Sequence, residues 1–341
     1  MGNFLKNWWE GLKYEPNDPR RLAGGNIKIA VIGGGTGLSV LLRGLKRYSS
    51  EISAIVTVTD DGRSSGRISE EFDILPPGDI RKCISALAYD EKLLAEIMEY
   101  RFSKDKKSFG GHTLGNIWLT ALSKYFGSFE RAVEATTEIF ETAGRVLPAT
   151  LKKVRLCAEY ADGGVAIGES KIPCPGKKIK KVYLESKNIR PYKNSVLAIG
   201  EADLIVLGPG SLYTSVMPNL LIKGIVDAVK KNVNAMKVFV CNSSTERGET
   251  ENMTVPNHIK AIQIHAGKRI FNHVIVNNNI VKKTNKVSEL GSINNITTVE
   301  KEILGCKVAL ADVISAKNPL YHDSDKLAKA IIELYNRTKR K

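Results

Sequence analysis

From Ile27 onward, short β-branched apolar runs alternate with longer stretches whose apolar residues fall three and four apart, and this alternation narrows the possible folds more than any other feature. A run buried on both faces and followed by an amphipathic helix is the repeating unit of a parallel sheet, because parallel strands need a crossover and the crossover is usually a helix. The strand-like runs are Lys28–Ile32, Ile52–Val58, Leu204–Leu207, Lys237–Cys241, His273–Val276 and Val308–Ile314. The helical periods are Leu38–Tyr48, Ile80–Ala88, Leu93–Phe102, Leu114–Tyr125, Phe129–Phe140, Leu220–Lys230, Pro256–His265 and Lys326–Tyr335. An α/β fold is therefore expected, with a mostly parallel sheet covered by helices on both faces. Between Val146 and Leu184 the rhythm breaks into apolar alternation punctuated by Pro and Gly, which predicts a small inserted antiparallel β region over about 146–190.

With 341 residues, 43% of them apolar and 26% charged, the chain has material for a sizeable core and is not disordered as a whole. One domain over 26–341, preceded by an arm at 1–25, is the expected organisation. In the arm, Phe4, Leu5, Trp8, Trp9 and Leu12 with Lys6 and Lys13 suit either a membrane interface or packing on the body or a neighbouring subunit. No apolar run reaches 18 residues and the start lacks a secretory h-region, so a cytoplasmic protein with at most peripheral membrane contact is expected. The five cysteines are widely spaced without a CxxC pair, and the five histidines show no HExxH spacing, which disfavours a disulfide framework and a zinc hydrolase.

The net charge of +15 suggests an anionic partner: nucleic acid, a membrane surface or a phosphorylated small molecule. Residues 151–195 carry eleven Lys or Arg against four Asp or Glu. No aromatic interleaving accompanies them, so a solvated surface is the preferred reading and no specific nucleic-acid partner is expected.

In open α/β sheets, ligands bind beyond the carboxyl ends of the strands. Four such ends here run into small and polar residues: Gly33-Gly34-Gly35-Thr36-Gly37, Thr59-Asp60-Asp61-Gly62-Arg63-Ser64-Ser65-Gly66, Gly208-Pro209-Gly210-Ser211 and Asn242-Ser243-Ser244-Thr245. Glycines let the backbone approach a ligand, and the helix that follows offers unpaired N–H groups at a positive dipole end. The first loop thus suits a phosphate, its alternative being a plain strand-to-helix turn. It is neither a full dinucleotide fingerprint, since Leu38 stands where the third glycine belongs, nor a Walker A loop. Asp60 and Asp61 suit a ribose hydroxyl, a divalent cation bridging phosphates, or a substrate hydroxyl awaiting deprotonation; the alternative is a turn or helix cap. Asp79 is expected as a helix N-cap and Arg81 as a clamp for phosphate or carboxylate. His112 and Asn116, four apart, share one helical face, where they touch a ligand or satisfy buried backbone groups.

Six stretches in this order, IAVIGGGTGLSVLLRGLK, VTVTDDGRSSGRI, LPPGDIRKCISALA, GGHTLGNIWLTAL, LPAT and ADLIVLGPGSLYTSVMPNLL, resemble the family joining the YvcK-type gluconeogenesis factors of bacteria with the 2-phospho-L-lactate transferases of coenzyme F420 synthesis. The resemblance runs from about Ile27 to the C-terminus and is nearer to the gluconeogenesis factors. It implies a Rossmann-like three-layer α/β/α core and a nucleotide or UDP-sugar ligand. It also implies a regulatory role in cell shape and envelope synthesis under gluconeogenic growth, acting through a protein partner, with no established turnover. The transferase branch implies the alternative: transfer of a phospholactyl group from a guanine nucleotide donor, with Mg²⁺. By resemblance, Gly34, Gly35, Thr36 and Gly37 cradle phosphate, Asp60 and Asp61 face the acceptor or metal, and Asn116, Gly210, Ser211 and Leu212 line the nucleotide. Asp79, Arg81, His112 and Asn242 complete the expected ligand set, and a homo-oligomer is expected.

The chain departs from the family pattern at Arg63, usually a glycine; at Ser244, Glu246 and Arg247 within the late Cys241–Thr250 motif; at Tyr321, usually an arginine; and around Val287–Ser292, where a tyrosine is missing.

Overall fold

A computed structural model describes residues 27–105, 108–280 and 295–340. The proposed arm, the loop around Val287–Ser292 and the side chain of Arg63 lie outside the described parts.

The elements, in order, begin with β1 (Ile29–Gly33), α1 (Gly35–Leu45), β2 (Ile52–Val56), α2 (Arg63–Glu71), α3 (Gly78–Leu87), α4 (Glu91–Glu99), α5 (Leu114–Phe126), α6 (Phe129–Ile139) and β3 (Arg145–Pro148). An inserted segment follows, with β4 (Leu156–Tyr160), β5 (Val165–Ile167) and β6 (Ile179–Leu184). The chain then resumes with α7 (Lys193–Glu201), β7 (Leu204–Leu207), a π-helical turn at Leu212–Val216, α8 (Met217–Leu220), α9 (Lys223–Lys231), β8 (Met236–Val240), α10 (Val255–Ala266), β9 (His273–Asn277), β10 (Glu302–Ile303), β11 (Cys306–Ala311) and α11 (Ser324–Lys339).

Eight strands form one sheet in the order β10-β11-β9-β8-β7-β1-β2-β3, every pairing parallel except β10 with β11. Successive side chains of a strand point to opposite faces, so β1 contributes to two cores. Ile29 and Val31 pack with Leu38, Leu41, Ile80, Ile84, Leu327 and Ile331 on one face; Ala30 and Ile32 pack with Ile199, Ile225, Ile259 and Ile262 on the other. The three-layer arrangement expected from the sequence is thus the observed one. The inserted strands form a separate antiparallel sheet, β5-β4-β6, whose Leu156, Ala158, Ile179 and Val182 are buried in the second of these cores.

Four local expectations need correction. Arg145–Pro148, grouped with the insertion by its apolar alternation, is the edge strand of the main sheet, pairing parallel with β2. Residues 63–66, read as the end of the loop after the second strand, are the first residues of α2. Helix α1 starts at Gly35 rather than Leu38, because its first turn is built from glycine and threonine and shows no apolar period. Asp79 is no N-cap: α3 starts at Gly78 with Pro77 as its cap, and the Asp79 side chain is committed elsewhere.

Strand order reverses at β1. The chain moves from β1 out to β2 and β3, then returns with β7 on the other flank of β1 and continues to β8, β9 and β11. The helices that follow β1 and β7 therefore leave to opposite faces of the sheet, and beyond the carboxyl ends of these strands lies a crevice, the place where open α/β sheets bind ligands.

Candidate functional site

The crevice opens into a cavity of about 730 Å³. Its first wall is the turn from β1 into α1, where Gly35 takes φ +66°, a left-handed conformation that suits glycine. A Cβ on Gly34 would come within 2.6 Å of the Thr57 methyl group, and one on Gly37 within 2.9 Å of the Gly210 backbone. The small residues thus let the β1 and β7 loops lie against each other. Asn219 fastens the arrangement, its amide donating to the carbonyls of Gly33 and Ser215. The first-turn N–H groups of α1 have no partner within the helix. One of them, on Gly35, donates to Asp79 Oδ2 at 2.6 Å, and Lys82 Nζ lies 3.0 Å from the other oxygen of that carboxylate.

Asp79, Asp60, Glu169 and Lys82 make the second wall. Burial, then the Asp79 charge, raises the pKa of Asp60 above the usual carboxylate value. Burial drives Glu169 well up, with Asp79 and Asp60 adding to the effect. Burial disfavours the Lys82 cation, but Asp79 and Asp60 outweigh it and its pKa stands above that of an ordinary lysine.

The third wall follows β7 and β8. Gly210, Ser211, Thr214, Asn242, Ser243, Glu246 and Arg247 line it, joined by Leu320, Tyr321 and His322 from the segment before α11. Asn242 Nδ2 donates to Glu246 Oε1 at 2.9 Å. Behind it Glu249 accepts from Thr214 Oγ1 at 2.8 Å and from the Tyr213 N–H at 3.3 Å; burial, then Glu246, pushes its pKa up to about 8. Burial lowers His322 to about 4, leaving a neutral imidazole.

Nine sequence-derived candidates share this cavity: Gly34, Gly35, Thr36, Gly37, Asp60, Asp79, Gly210, Ser211 and Asn242. Five others lie outside its lining. The carboxylate of Asp61 turns away from that of Asp60 and accepts from the Ser170 N–H at 2.8 Å, so it anchors the insertion. Arg81 does clamp a carboxylate, but one of the protein's own: Glu99, at 2.9 Å, with the Met98 carbonyl at 3.1 Å. His112 Nδ1 and Asn116 Nδ2 meet on the Ser64 hydroxyl at 3.0 and 2.9 Å. Leu212 is core. Lys82, Glu169, Glu246 and His322 were not expected in the lining. Lys82 was legible as the residue three beyond Asp79 on one helix face, whereas Glu169 reaches the site from the insertion and carried no local signal.

Among the described residues no group of three or more His, Cys, Asp or Glu is arranged to hold a metal ion. The paired aspartates therefore do not form a protein cage for Mg²⁺; a cation here would draw its remaining ligands from phosphate oxygens and water, as Mg²⁺ commonly does.

Residues 29–314 match the family model described as 2-phospho-L-lactate transferase CofD. The chain is 42% identical over 311 residues to the gluconeogenesis factor of Bacillus subtilis, covering 90% of this chain and 98% of that protein. It is 41% identical over 314 residues to the gluconeogenesis factor of Halalkalibacterium halodurans, covering 91% and 97% respectively. A crystal structure of a UPF0052 family protein from Bacillus halodurans superposes with a TM-score of 0.84 at 40% identity, covering 90% of this chain and 99% of that one.

Proposed function

This chain belongs to the CofD family, and on that premise we propose that it acts as a gluconeogenesis factor: a cytoplasmic regulator that binds a UDP-sugar and adjusts carbon flux toward the cell envelope through a protein partner. The observation that carries the reading is the convergence of the β1, β2, β7 and β8 loops on one cavity of about 730 Å³. That volume falls in the range of small-molecule sites, roughly 300–1,000 Å³, and near its upper end, as a nucleotide sugar requires. Beyond Gly35, whose own N–H is held by Asp79, the first turn of α1 and the Gly210 turn supply backbone N–H groups for the diphosphate, and Arg247 supplies positive charge beside it. Asn242, Ser211 and Ser243 supply neutral hydrogen-bonding groups for the rest of the ligand. Among the described residues no helix is long and apolar enough to cross a membrane, which fits this setting.

A second reading, group transfer from a guanine nucleotide donor, is favoured by the family model and by the buried Asp60 carboxylate, whose raised pKa suits a proton acceptor. Calorimetric titration with UDP-N-acetylglucosamine, UDP-glucose, GDP and NAD separates the two. Binding heat with a UDP-sugar is the expected result. Heat with GDP alone favours the transferase reading, and heat with NAD alone removes both.

A further inference from the structure

Resting on the nucleotide-sugar reading, we propose that His322 and Ser243 form an uncharged subsite that receives hydroxyl groups of the ligand's glycosyl moiety. Buried polar atoms are almost always hydrogen-bonded, so each exception calls for an explanation. Among the described residues, His322 Nε2 and Ser243 Oγ are both buried without a partner, and both residues line the cavity; the other buried side-chain atoms in this condition belong to residues outside its lining. Two unmet hydrogen-bonding groups on one cavity wall point to a ligand that meets them.

The chemistry of the pair narrows that ligand. The His322 ring is buried and uncharged. A neutral imidazole carries one N–H and one lone pair, so Nε2 presents either a donor or an acceptor. A sugar hydroxyl, which both donates and accepts, answers either, whereas an uncharged ring offers no cation to a phosphate. The Ser243 hydroxyl both donates and accepts. Together they match adjacent sugar hydroxyls, each able to donate or accept as its partner requires.

Topology places this pair at a distance from the phosphate end. Ser243 follows β8, which is separated from β1 by β7 alone. Two strand spacings are roughly 10 Å, a span that a diphosphate bridges between the glycine turn and a glycosyl group. The subsite therefore orients the ligand, with phosphates over α1 and the sugar under His322.

Titration of UDP and of UDP-N-acetylglucosamine against the unmutated protein, Ser243→Ala and His322→Phe tests this, with Tm measured for each. Ser243→Ala is the deciding variant, because its hydroxyl has no partner to lose and Tm should stay unchanged; His322→Phe removes both ring nitrogens, and its Tm reports any loss of packing. The expected result is a three- to tenfold loss of affinity for the sugar nucleotide, roughly one neutral hydrogen bond, with UDP affinity retained. Equal losses for both ligands, or none for either, overturn the subsite while leaving the nucleotide reading in place. Absence of heat from the unmutated protein with both ligands overturns the nucleotide reading itself and the subsite with it.

Discussion

Carboxylates buried behind the third wall of the cavity titrate far from their solution values, and Glu249 shows the consequence. Its folded-state pKa of about 8 lies above the ordinary glutamate value of 4.5, so the folded protein binds more protons than the unfolded chain between those two pH values. Stability therefore falls as pH rises through that window and levels off above it. A Glu249→Gln substitution keeps one oxygen to accept from Thr214, gives up the bond from the Tyr213 N–H and removes the charge. Urea midpoints across pH 5–9 should show a flatter decline with pH for the variant than for the parent between about pH 5 and 8. Coincident profiles would mean that the Glu249 charge is not what the fold resists. The same contrast between chemistry and placement governs which residues were readable. Gly34, Gly35, Gly37 and Gly210 were found because glycine in a strand-end turn has a local cause, whereas the neighbours Asp60 and Asp61 look alike in sequence and diverge in space, one into the cavity and the other onto Ser170.

Helix α1 carries the glycine turn at its start and packs against α11 near its end. Gly44 is the contact point: a Cβ there would run into the Ser324 carbonyl oxygen and sit 2.7 Å from the Ala328 side chain. Intrinsic propensity favours alanine over glycine in a helix interior by about 1 kcal/mol. Overpacking a tight contact costs about 1–3 kcal/mol, so Gly44→Ala should be net destabilising, by an amount that chemical denaturation can measure. A gain in stability would show that the two helices separate freely at this point. Helices with a clear apolar stripe, such as Ile80–Ala88, were legible to within a few residues. Helix α2 was not, because its Ser and Gly residues give it no stripe; what holds it is tertiary, with Ser64 bonded to His112 and Asn116, Ser65 to the Gly78 N–H, and Ser69 to the Ile74 carbonyl.

Summed over the chain, the charge of +15 suggests polyanion binding, but its distribution argues otherwise. In the cation-rich stretch, Lys177 pairs with Asp162, Lys180 and Lys181 pair with Glu159, Arg155 with Glu185 and Lys153 with Asp73. These exposed pairs contribute little stability, yet they set four carboxylates against five cations that a nucleic-acid surface would leave free. Filter retention of duplex DNA across a salt series should accordingly show weak binding, lost by about 0.15 M salt. Retention that persists there would identify a polyanion site. The α/β class, the inserted antiparallel region and the four strand-end loops were determined by the sequence itself, because burial period and turn chemistry are written within a dozen residues. Only the tertiary structure decided that strand order reverses at β1, that Lys82, Glu169 and His322 reach the cavity while Arg81, His112 and Asn116 turn away, and that Ser243 and His322 each bring an unpartnered buried atom to its lining. The direction of a side chain depends on the segments packed around it, and those arrive from far along the chain, where no local pattern records their approach.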